Sequence, residues 1–128
     1  MDISKILDTI KFMMDISDDD DSFDNSLLVH INSAISALTQ LGVPKPTPSF
    51  KVDKNTTWDT YTQNPDLESI KSYIYIKTLM VFDGANIKPA HQKACEQTLA
   101  EYEYRIRVAV DLAQPETPPN NEQDTDDN

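Results

Sequence analysis

The residues of this chain that could do chemistry are few and poorly placed for it. A run of aspartates, Asp15 and Asp18–Asp21 with Asp24 beyond, has the carboxylate density of a calcium loop. Counted from Asp15, the first, third, fifth and seventh positions are Asp15, Ser17, Asp19 and Asp21, which suits oxygen ligation. The sixth position, where the sharp turn needs glycine, is Asp20, and the twelfth, where a bidentate glutamate closes the cage, is Ser26. Counting from Asp18 instead puts Val29 at the twelfth. The block therefore reads as a solvated linker.

His30, His91 and Cys95 are the soft metal ligands of the chain. His91 and Cys95 stand one helical turn apart, but zinc takes about four ligands and only His30 is left to join them. A surface histidine and a buried cysteine account for the pair better. Serine, histidine and aspartate for nucleophilic catalysis are all present. Phosphate loops and nucleophile elbows, however, need close backbone approach at glycine, and both glycines, Gly42 and Gly84, stand where helices should stop. Arg105 and Arg107 with Tyr102 and Tyr104 form a basic–aromatic set, and Glu101 and Glu103, four residues before each arginine, are positioned to neutralise it. No enzyme activity, metal or cofactor is expected.

Composition narrows the class further. The chain has 128 residues and a net charge of −11. Five of its acids lie in the last fifteen residues, which hold three prolines and no base or large apolar side chain. That segment has too little to bury to offset its ordering entropy, so residues 114–128 are expected to be a disordered acidic tail and residues 1–113 the folded domain. Six more acids lie in the aspartate block, and the rest of the chain balances eleven acids against eleven bases. Groove binding to nucleic acid needs clustered lysine and arginine, which this distribution does not supply. One cysteine excludes an intramolecular disulfide. The start lacks the basic and apolar regions of a secretory signal, and no apolar run approaches the roughly 20 residues of a membrane helix.

Four helices must position these residues, giving an all-α bundle. Ile3, Ile6, Leu7, Ile10, Met13 and Met14 recur at helical steps and form one stripe. A second helix opens near the capping residues Ser22–Asp24 and buries Leu27, Leu28, Ile31, Ala34, Ile35, Leu38 and Leu41. Gly42 and then Pro44 end it. Residues 43–63 show no helical period; three prolines fix an extended start, and Phe50, Val52 and Thr56–Trp58 suit a short strand or hairpin. A loop this long in a small domain is often functional. Asn64-Pro65-Asp66 opens a third helix, with proline in its first turn. The run from Leu67 to Phe82 is too long for a typical strand and apolar around most of its circumference, so it should lie at the centre or against a second subunit. Gly84 should end it. Pro89 starts the fourth helix, which presents Cys95, Leu99, Tyr102, Ile106, Ala109, Val110 and Ala113 on one face.

The ordered set Phe23-Asp24, Leu28 with Ile31-Asn32-Ser33, Gln40-Leu41-Gly42-Val43, Trp58, Tyr73 through Lys77 with Phe82-Asp83, and Tyr102 through Ile106 resembles the head–tail connector (adaptor) proteins of tailed bacteriophages that infect Gram-positive hosts. The resemblance covers about residues 1–112. It implies a small α-helical bundle whose copies form a homo-oligomeric ring of about twelve subunits, closed by the heterologous contacts of cyclic symmetry. The implied partners are the portal protein and the head-completion or tail proteins at the capsid–tail junction of the virion. The protein would be made in the host bacterial cytoplasm, and DNA would pass through the ring without sequence-specific binding. Phe82-Asp83 is followed by Gly84-Ala85-Asn86 where a proline-containing turn fits the resemblance, which is a departure. Loop length and aromatic placement assign subunit contacts to residues 43–63 and the third helix, with Phe50, Trp58, Tyr61, Tyr73 and Phe82 as anchors; a lone tryptophan in a polar loop also suits a core plug. Two other readings fit the composition: an acidic DNA mimic that binds a host DNA-handling enzyme, and a generic helical interaction module.

Overall fold

The computed structural model describes residues 2–113, so the expected acidic tail lies outside the described residues. The elements run α1 (Ile6–Met13), α2 (Asp24–Gln40), the single-turn α3 (Trp58–Tyr61), α4 (Leu67–Phe82), a 3-10 turn (Gly84–Asn86) and α5 (Pro89–Ala113). The all-α class is as the sequence indicates. None of the described helices is long and apolar enough to cross a membrane.

The nearly all-round apolarity of α4 places it at the centre. It packs extensively on α2 and α5 and also meets α1. Ile70, Tyr73, Ile74 and Thr78 are buried along it, and Leu27, Ile31, Ala34, Ile35 and Leu38 of α2 complete the same core. The third-helix apolarity is therefore satisfied in large part inside one chain, with Ile76, Leu79 and Met80 partly buried and Val81 exposed. From α1 come Ile6, Leu7 and Ile10, whereas Ile3, expected on that stripe, precedes the helix and is exposed.

Two helix ends use the same backbone device with different residues. After α2, Gly42 adopts φ 104°, its N–H bonds to the Thr39 carbonyl at 3.2 Å, and the Val43 N–H reaches back to the Leu38 carbonyl at 3.0 Å. This is a Schellman motif, and its usual apolar clasp is present because Val43 and Leu38 are both buried. A Cβ at Gly42 would also lie 2.7 Å from a Val110 methyl of α5. After α1, Asp15 takes the left-handed conformation at φ 64°, with its N–H on the Phe12 carbonyl and the Ile16 N–H on the Lys11 carbonyl at 2.9 Å. The aspartate block thus begins as a helix cap.

The expected glycine stop at Gly84 is corrected. The α4 helix ends at Phe82, where the Asp83 N–H caps the Leu79 carbonyl. Gly84 has no left-handed φ and no crowding; it opens the 3-10 turn that makes the bend to α5. Pro65 is likewise outside the helix, in a turn where the Asn64 side chain accepts from the Asp66 N–H at 2.8 Å. The expected strand or hairpin over residues 50–58 is also absent. Among the described residues the one antiparallel bridge joins Lys5 with Thr57. The reason is local: Asp53 turns the chain by accepting from the Asn55 N–H and the Thr56 hydroxyl, and Thr57 then caps α3 through the Thr60 N–H.

A polar pair that the apolar stripe does not reveal joins α1 to α2. Lys11 is 2% exposed and its Nζ donates to Asp24 Oδ1 at 2.8 Å. Ser22–Asp24 therefore do not cap α2 as expected: Phe23 occupies the N-cap position without a side-chain bond, and the Asp24 carboxylate serves Lys11 from the first turn.

The two left-handed positions carry opposite expectations. Gly42→Ala must strain φ and push on Val110, and should lower unfolding free energy by about 2 kcal/mol. Asp15→Gly relieves a side-chain penalty in open space and should raise it by up to about 1 kcal/mol. Urea denaturation of the two variants beside the wild type measures both signs.

Candidate subunit interface

The long segment between α2 and α4 is held by two side-chain contacts with the helices beneath it, one to Asn32 of α2 and one to Thr9 of α1. Asn32, near the middle of α2, faces Val52 with both ends of its amide. The Val52 N–H donates to Asn32 Oδ1 at 2.8 Å, while Asn32 Nδ2 donates to the Val52 carbonyl at 3.1 Å and to the Leu28 carbonyl at 2.9 Å. One side chain thereby supplies both hydrogen bonds that a neighbouring strand would have given. Val52 itself is buried in the core.

The second tether is Trp58, 3% exposed, whose Nε1 donates to Thr9 Oγ1 at 3.0 Å. The Thr9 hydroxyl in turn lies 2.9 Å from the Ile3 and Lys5 carbonyls. Backbone bonds reinforce the contact, Ile6 N–H to the Thr56 carbonyl and Trp58 N–H to the Ser4 carbonyl, each 3.0 Å. Lys71 of α4 lies over the indole, its Nζ 5.5 Å from the ring centroid.

The five aromatic anchors expected for subunit contact have different settings. Trp58, Tyr61 and Tyr73 are buried within the chain. Phe50 is half-buried and stacks on Tyr61 at 5.7 Å between centroids, which closes the loop over α3. Phe82 is half-buried and packs edge-on against Phe23 at 5.3 Å, tying the end of α4 to the start of α2. The first three thus shape the loop and core from inside, and Phe50 and Phe82 reach the surface.

Tyr73 also links α4 to α5 through its hydroxyl, 3.3 Å from Glu103 Oε2. Burial, and next the charge and hydrogen bond of Glu103, push the Tyr73 phenol up to about 12. Burial alone raises Tyr61 above the ordinary tyrosine range. This use of Glu103 overturns one expectation: it does not pair with Arg107, nor does Glu101 pair with Arg105, because the ion pairs among the described residues join Lys11 to Asp24 and Lys71 to Glu68. Arg105 instead lies over the Tyr102 ring at 5.5 Å. The neutralised helix face read from sequence is therefore only partly neutralised.

The large apolar side chains that remain exposed are Ile3, Phe12, Phe23, Val29, Val81, Tyr104 and Leu112. Tyr104 lies on the helix face that the sequence reads as exposed, whereas Phe12 was not singled out; its signal was that it falls outside the apolar stripe of α1. Among the described residues no group of three or more histidine, cysteine or carboxylate side chains is arranged to hold a metal ion, and Cys95 is buried while His91 is exposed.

The described residues thus form a small all-α domain with one central helix, a long loop fixed in shape from below and shallow surfaces. The family model described as phage connector protein matches residues 6–113, and the chain belongs to that family. No curated protein and no solved structure matches it.

Asn32→Ala leaves the Val52 N–H and carbonyl without partners and should cost about 2 kcal/mol. Hydrogen–deuterium exchange should show protection lost at Val52 and its neighbours with helical circular dichroism retained. Alkaline titration tests Tyr73. The folded state keeps a phenolic proton that the unfolded chain releases near pH 10, so stability present below pH 10 falls as pH rises towards 12. Denaturation midpoints across that window should fall less steeply in Tyr73→Phe than in the wild type.

Proposed function

We propose that this protein is a structural part of the virion that joins the portal at the capsid vertex to the tail, its copies forming a ring that continues the DNA channel. It works by geometry, without catalysis or cofactor. The observation that carries this reading is the family match across almost the whole described domain, residues 6–113. The physical character of the chain agrees with it. The 43–63 segment keeps a defined outline because Asn32 and Trp58 tether it, which suits a part that must present the same surface in every copy. Net negative charge keeps a channel wall from gripping phosphates as DNA moves past.

The deciding experiment mixes the purified full chain with the assembled portal protein of the phage that encodes it. Electron microscopy should show an added annulus on one face of the portal, with one copy of this chain per portal subunit or near it. A portal that stays bare at high concentrations of the chain, with no copies of the chain detected in purified virions by mass spectrometry, would refute the proposal.

A further inference from the structure

A groove between the end of α2 and residues 44–48 opens beside the last turn of α5, and we propose that its occupant is the segment that follows that helix, residues 114–119 of the same chain. The contact lies within one copy and does not depend on the ring reading.

Ser36, Thr39 and Gln40 of α2 form one side of the groove and residues 44–48 the other, with a volume of about 460 Å³ between them. Pro44, Pro46 and Pro48 stiffen the second side, each fixing its own φ. Thr39 spends its hydroxyl on the Ile35 carbonyl. The side chains of Ser36, Gln40, Lys45 and Thr47 make no hydrogen bond or ion pair among the described residues. The groove is thus a set of free donors on a stiff frame.

Connection decides the occupant. Gly42 stands between Gln40 and Pro44 in sequence, and a Cβ on it would lie 2.7 Å from a Val110 methyl. The α5 helix therefore reaches the edge of the groove within its last turn, which ends at Ala113. Six extended residues span about 20 Å, so residues 114–119 are long enough to lie along the groove with the described fold unchanged. The chemistry agrees. Pro115, Pro118 and Pro119 bring carbonyls without an N–H, so the segment offers acceptors where the groove offers donors. Glu116 is the one charged residue of the segment, and Lys45 is the one charged residue lining the groove. No acid occurs from Leu27 to Lys51, and Asp111, exposed on the last turn of α5, does not line the groove.

A separate molecule has much less to hold. No aromatic or large aliphatic side chain lines the groove, so it lacks the apolar centre from which contacts between two molecules draw most of their energy. A tethered segment needs little affinity, because a short link keeps it at an effective concentration on the order of millimolar. A weak, polar groove therefore suits the continuation of its own chain better than a second copy. In the ring reading residues 43–63 face a neighbour, so a docked segment must leave before two copies join. That consequence, unlike the contact, rests on the ring.

The test uses the full chain with Cys95→Ser and Asn121→Cys, a nitroxide on the new thiol, and nitrogen-isotope labelling read by NMR. The amides of Gln40, Lys45 and Thr47 should relax strongly, whereas that of Asp24, about 24 Å away along α2, should not. Lys45→Glu should weaken the relaxation about threefold, and Glu116→Lys in the same chain should restore it. Equal relaxation in Lys45→Glu and its parent, or none at the groove, would overturn the contact. Relaxation of the same size in a mixture with nitroxide and isotope on different copies would also overturn it, because the occupant would then be a second chain. The two readings fail separately. Any of these results leaves the ring standing, and a portal that stays bare removes the ring while leaving this contact.

Discussion

A helix that is apolar on almost every side cannot be left at a surface, and the need to cover α4 sets the arrangement of everything else. Burying one large aliphatic side chain contributes roughly 2 kcal/mol, and Ile70 and Ile74 are both fully enclosed. The α2 and α5 helices take most of its circumference, with α1 against it as well. The grooves that remain on the described surface are open and shallow.

Polar contacts inside this shell determine the single way the layers are assembled. Lys11 on Asp24 fixes α1 against the first turn of α2, and removing Asp24 would strand the buried Lys11 charge. Trp58 on Thr9 fixes the loop against α1, and Asn32 on Val52 fixes it against α2. All three require one relative placement of two elements. Hydrophobic burial alone would have tolerated sliding.

Much of this was legible in the sequence, and the omissions share a cause. The four long helices, the Gly42 stop and the central position of α4 follow from periodicity and backbone chemistry, which are local. The lysine at position 11 gave no such signal, because burial of a charge depends on an aspartate thirteen residues away. Asn32 and Trp58 were visible as conspicuous residues, but their partners lie 20 and 49 positions distant. The surface was the least legible part. Trp58, Tyr61 and Tyr73 stood out by type yet face inward, and the salt-bridge pattern on α5 was undone by a tyrosine on another helix. Helical spacing shows where an i and i+4 pair can form but is silent about a competitor across the interface.

The Asn32 clamp has a consequence for how such a protein can diversify. A connection of about twenty residues is long for so small a domain. Pinning Val52 to α2 divides it into two short spans, 43–51 and 53–57, each closed at both ends by its own contacts. Each closure carries its own entropy, which grows only slowly with length. The first span can therefore change length at small entropic cost without shifting the second, which Asp53, Thr56 and Thr57 hold in its own turn, bridge and helix cap.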